Sequence, residues 1–161
     1  MRHGLSVAAS LLLPFLTLVG CGGGMKTTRF SNPNFDFSFV ERVAVVPFDN
    51  QTNDRQSGLR ATRLTITELL ASGAVDVVEP GEVEAAIVKI TGTNINRGVS
   101  PSTEQIVSLG QALGVEALIL GTVTQSENLR SGSVPVPVVT LDLRMVEAET
   151  GATVWAATHS E

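Results

Sequence analysis

At 161 residues the chain has room for one domain of ordinary size with a real core. Eleven basic against sixteen acidic side chains give a net charge of −5 with no basic run, which argues against a nucleic acid partner. One cysteine and two histidines argue against a disulfide and against a thiolate or histidine metal site, and neither a metal nor another cofactor is expected.

Arg2 and His3 precede an apolar stretch from Leu5 to Leu18, interrupted only by small or weakly polar residues and Pro14. A short basic start, an apolar middle and a small residue before a cut compose a secretory signal peptide. The stretch is shorter than the ~20 residues that cross a bilayer. It ends in Leu18-Val19-Gly20-Cys21, which resembles the lipobox of bacterial lipoproteins. That resemblance implies cleavage after Gly20, diacylglycerol on the Cys21 thiol, and Cys21 as an acylated new amino terminus carrying fatty acids such as palmitate. A thiolate is the one strong nucleophile available there. Residues 1–20 are therefore expected to leave, and with Arg2 gone ten basic side chains face sixteen acidic ones, or −6.

Gly22-Gly23-Gly24 reads as a flexible tether. Glycine rather than aspartate after the cysteine resembles the pattern of enterobacterial lipoproteins that are sorted to the outer membrane. Met25 to Asn34 is polar and turn-rich, with Asn32-Pro33-Asn34 as a breaker. The lipidated tether is expected to cover residues 21–39 and a single domain residues 40–161. Phe35-Asp36-Phe37-Ser38-Phe39 alternates aromatic and polar side chains. The alternation predicts a short edge strand laying one aromatic face on the domain, or a docking strand for a partner. Phe35, Phe37 and Phe39 are the candidate contact residues.

Val43 to Phe48 is a continuous apolar run stopped by Asp49-Asn50, as in a strand buried on both faces. A helix is predicted from about Arg55 to Ser72, with Leu59, Thr62, Ile66, Leu69 and Leu70 inward and Gly73 at its left-handed cap. Val75 to Glu79 reads as a short strand. Pro80 suits the first turn of a second helix whose stripe is Val83, Ala86, Ile87 and Ile90. Glu82, Glu84 and Lys89 complement its dipole and are not read as catalytic. Thr91 to Val99 reads as a loop.

Ser102 and Gln105 form a capping box for a third helix, with Ile106, Leu109, Gly110 and Leu113 buried. Ala117 to Gly121 is a central strand continuing to Thr124, and Gln125 to Pro137, polar and then proline-bearing, reads as a long hairpin connection. Val139 to Met145 alternates as a strand with one wet face. A turn at Glu149-Thr150-Gly151 leads to a last strand carrying Trp155. The expected fold is α/β (α+β): a mixed sheet of about five strands, the first parallel and the last an antiparallel meander, with about three helices packed on it.

Three stretches together resemble a known family. Val43-Ala44-Val45-Val46-Pro47-Phe48-Asp49-Asn50 is similar to the opening strand of the curli-secretion lipoprotein family. Leu109 to Gly121 resembles its helix-to-strand segment, and Leu143 to Trp155 its final hairpin. The same module occurs in the outer-membrane lipoprotein that activates a penicillin-binding protein and in the amino-terminal domain of the Tol-system propeller protein. The resemblance covers residues 40 to 160 and brings no catalytic residue to transfer. It implies work in the cell envelope through protein–protein contacts.

The chain departs from the curli channel in two ways. The segments Thr91 to Pro101 and Gln125 to Pro137 are too short and polar for a membrane hairpin, whose strands need ~9–11 alternating residues. The chain also stops just after the last strand, where relatives commonly continue into a further helix. An enzyme is the rival class, but a Ser-His-Asp set would rest on His159 near the chain end. Asp49, Asp54 and Asp142 are read as solvated or capping acids rather than a cation site. The expected function is that of an outer-membrane-anchored periplasmic lipoprotein binding an envelope protein, as regulator or scaffold of a peptidoglycan synthase or secretion machine. The alternative is a self-assembling ring subunit, a homo-oligomer of curli-secretion type.

Overall fold

Ala117-Leu118-Ile119-Leu120 is buried on both faces, and the strand it begins, β5 (Ala117–Ser131), has sheet neighbours on both edges. The structure is a computed structural model that describes residues 26–92, 101–131 and 134–160. Across the sheet the order is β1 (Lys26–Ser31), β7 (Thr153–Ser160), β6 (Val134–Glu147), β5, β2 (Arg42–Val45) and β4 (Asp76–Val77). A seventh strand, β3 (Asp49–Asn50), pairs with β5 beyond the end of β2. β2 runs parallel to both β4 and β5, while β5, β6 and β7 form the antiparallel meander. The expected mixed sheet is thus present.

Successive residues of β2 and β5 point into two separate cores, as a strand's period of two requires. Ala44, Val46, Leu118 and Leu120 meet α2 (Pro80–Thr91) and α3 (Thr103–Leu113) on one face. Val43, Val45, Ala117 and Ile119 belong to the other core, which α1 (Ser57–Ser72) covers through Ala61, Ile66 and Leu69. The α3 capping box forms as its sequence requires: the Ser102 hydroxyl accepts from Gln105 N–H, and Gln105 Oε1 accepts from Ser102 N–H at 2.9 Å. Gly110 lies so close to β6 that a side-chain carbon there would overlap the Ala148 methyl. Gly151 turns the chain between β6 and β7 at φ 73°.

Four sequence expectations are corrected. Lys26–Ser31, expected in the tether of residues 21–39, is an edge strand paired antiparallel with β7 from Lys26↔Ser160 to Ser31↔Trp155. Phe35–Phe39 is not a strand: Phe37–Phe39 is one turn of 3-10 helix, because Asp36 accepts from Ser38 N–H at 2.9 Å and turns the chain. Gln125 to Pro137, expected as the loop of a long hairpin, is itself paired strand, registered from Gln125↔Thr140 to Ser131↔Val134 beyond a bulge at Val123/Gln125. Leu59 and Leu70 are exposed rather than inward, since the buried side of α1 is centred on Gly58, Thr62 and Leu69. β1 and β3 raise the sheet from about five strands to seven.

Candidate partner-binding surface

Asn32 begins the aromatic segment by ending β1. Its N–H donates to Val154 O, and its side-chain oxygen accepts from Asn34 N–H at 3.0 Å. The chain then turns through Phe35 into the 3-10 turn. The Ser38 side chain, and then its backbone N–H, hold the Asp36 carboxyl below its ordinary pKa.

Phe35 is half-buried against the core that contains Val40, Val43 and Ile119. The Phe37 ring meets it edge-on at 4.8 Å and 74°, and the Phe39 ring lies at 5.1 Å and 58°. The turn therefore gathers the three rings, with Phe35 as anchor. Phe37 and Phe39 remain 38% and 45% exposed. Offset and edge-on arrangements are the favoured ones for aromatic pairs, so contact with Phe35 supports both rings while leaving part of each facing solvent.

α1 lies on the same side of the sheet and adds Leu59, Leu64 and Leu70 to the exposed apolar residues. Its amino-terminal loop is tied by Asn50, whose side-chain oxygen accepts from Thr52 N–H and from the Ser57 hydroxyl at 2.8 Å. Asp54 accepts from Gln56 N–H and pairs with Arg60. The first of these, then the second, lowers its pKa.

The remaining candidates are dispersed. Cys21 lies outside the described residues. Asp54 accepts from Gln56 N–H just ahead of α1, and Asp49 accepts from Asn50 N–H at 2.7 Å. Asp142 accepts from the Thr158 hydroxyl at 2.5 Å on the opposite side of the sheet. His159 meets the Thr27 hydroxyl at 3.1 Å on the outer strands.

A second feature has no signature in the local sequence. Cα partners across the sheet place Asp49, Thr122, Asp142, Thr158 and Thr28 in one row over five strands. Leu120, Arg144, Ala156 and Phe30 form the next row. α2 and α3 cover this face over Ala44, Val46, Leu118 and Val146, with Leu120 at the margin, and beyond them the two rows form the floor of an open cleft of about 420 Å³. Its five contributing strands are scattered from Thr28 to Thr158, which is why no spacing in the chain announces it.

The family profile described as peptidoglycan-synthase activator LpoB matches residues 31–160. Among solved structures, the chain is similar to the PelC dodecamer from Paraburkholderia phytofirmans, at 20% identity over 86% of this chain and 81% of that one, with a TM-score of 0.60. It is similar to lipoprotein GNA1162 from Neisseria meningitidis at 21% identity, over 74% of this chain and 81% of that one, with a TM-score of 0.62. The LpoB C-terminal domain from Salmonella enterica is 14% identical, over 75% of this chain and 82% of that one, with a TM-score of 0.58. At these identities the structural likeness establishes the fold. No curated protein sequence gives a significant match.

Proposed function

The chain belongs to the LpoB family of peptidoglycan-synthase activators, and from that membership we propose that it binds and activates a peptidoglycan synthase at the periplasmic face of the outer membrane. The observation that carries the reading is the family match, which runs through all the helices and strands from Ser31 to Ser160. The anchor is lipid on Cys21, and the contact is the exposed pair Phe37 and Phe39 on its Phe35 base. A lipid anchor confines the domain near other membrane proteins and raises its effective concentration there. Aromatic side chains, phenylalanine among them, are enriched in the buried cores of interfaces.

Phe37→Ser with Phe39→Ser tests the contact while sparing Phe35, which is tied to the core. The double variant is expected to keep its melting temperature and lose co-purification of the synthase. Retained co-purification would exclude the two rings from the interface. A second reading, a self-assembling ring, is favoured by one observation, the dodecameric state of PelC from Paraburkholderia phytofirmans. The mass of the purified lipoprotein in detergent separates the readings: a monomer fits the activator, and a large symmetric oligomer fits the ring.

A further inference from the structure

The cleft over the five-strand row combines charges of both signs in a way that the synthase-binding surface does not use. Arg144 lines it, yet among the described residues its guanidinium makes no hydrogen bond and no ion pair. A half-buried arginine without a partner has five donors to offer a planar acceptor, and a carboxylate takes two of them at once. Asp142 lies two residues along the same strand and the same face, about 7 Å away by strand geometry. One of its oxygens is engaged by the Thr158 hydroxyl. Asp49 closes the row at the other side of β5. Two carboxylates beside one guanidinium repel a polyanion, and they favour a ligand that brings an ammonium as well as a carboxylate. Between and around the charges the cleft is lined by threonine hydroxyls, the backbone of Gly121 and Ala156, with Leu120, Phe30, Val46 and Pro47 adding apolar wall.

We propose that this cleft binds a short zwitterionic peptide, its carboxylate on Arg144 and its ammonium at Asp142, with Asp49 adding negative potential from across Thr122. The backbone positions of Asp142 and Arg144 are two residues apart along β6, a spacing comparable to that of a short extended peptide, which advances ~3.3–3.6 Å per residue. The volume of about 420 Å³ lies in the range of small-ligand sites. The same chemistry occurs in cell-wall peptides, which carry D-residues, and in protein termini, which do not. The proposal does not depend on synthase activation.

Calorimetric titration of the full-length lipoprotein in detergent with D-Ala-D-Ala-D-Ala, L-Ala-L-Ala-L-Ala and their carboxy-terminal amides tests it. The free acid of at least one series is expected to bind saturably, and its amide about tenfold or more weakly, the loss of one charge-assisted bidentate pair. Preference for the D-series assigns the site to cell-wall peptides; preference for the L-series assigns it to protein termini. Arg144→Gln is expected to reproduce the amide's loss, with Arg144→Lys intermediate. Asp142→Asn should weaken the free-amine peptide and leave its N-acetyl form unchanged. No saturable binding by either series up to about 10 mM, or equal binding of acid and amide by the unaltered protein, would overturn the proposal. The acid–amide comparison holds even where an Arg144 variant fails to fold.

Discussion

The Thr62 hydroxyl is buried beneath α1 and satisfies two backbone groups at once. It accepts from Phe48 N–H at 2.9 Å and donates to Gly58 O at 2.8 Å. Phe48 N–H leaves the sheet just where the apolar run ends, so without Thr62 it would be a buried donor with no acceptor. An unmet buried donor costs about 1–3 kcal/mol. Thr62→Val is therefore expected to lower the unfolding free energy by about that much, and Thr62→Ser by less, in denaturant melts of the purified protein. A valine variant as stable as the parent would mean that Phe48 N–H finds another acceptor. The sequence places Thr62 in the inward stripe by spacing alone, but its partner lies fourteen positions upstream in a segment that no local pattern links to it.

Elements whose signals are local are readable in the chain. The start of α3 needs only Ser102 and Gln105, and its buried face only the spacing of Ile106, Leu109, Gly110 and Leu113. The central strand is equally plain, because Ala117 to Leu120 is apolar without a break. Ile119→Ala is expected to cost about 2–5 kcal/mol, the range for large-to-alanine changes at buried positions, and Ile119 is 5% exposed. A melt indistinguishable from the parent would place the centre of the sheet elsewhere. Elements specified by distant partners are not readable. Lys26-Thr27-Thr28-Arg29-Phe30-Ser31 carries little apolar surface and becomes β1 by pairing with a strand at the far end of the sequence. In the distal hairpin Pro135 and Pro137 argue against a strand. They fall at alternate positions, opposite Arg130 and Asn128, so their missing donors lie together on the edge away from β5. That edge is thereby blunted against strand addition. The alternating phenylalanines misled for a different reason. Asp36 forms a local hydrogen bond that competes with extended pairing, and the rings are gathered by a turn.

At the scale of the whole molecule, a sheet with a helical layer on each face carries solvent-facing aromatics on one side and a charged cleft on the other. The proposed lipid at Cys21 sets where those surfaces operate. Cys21→Ser is expected to abolish metabolic labelling with a fatty acid and leave an unprocessed precursor; label persisting in the variant would remove the anchor from the account. Two or more acyl chains are needed for firm attachment, because each buried methylene contributes ~0.8 kcal/mol and one chain alone is marginal. The domain's proposed effect is on another protein's rate. The direct measurement is therefore glycan-strand synthesis by the host's peptidoglycan synthase in liposomes, with and without the full-length lipidated protein. The rate is expected to rise with added lipoprotein until the synthase is saturated, and to rise less with the Phe37→Ser, Phe39→Ser variant. A rate unchanged at saturating lipoprotein would contradict activation as the function of this chain.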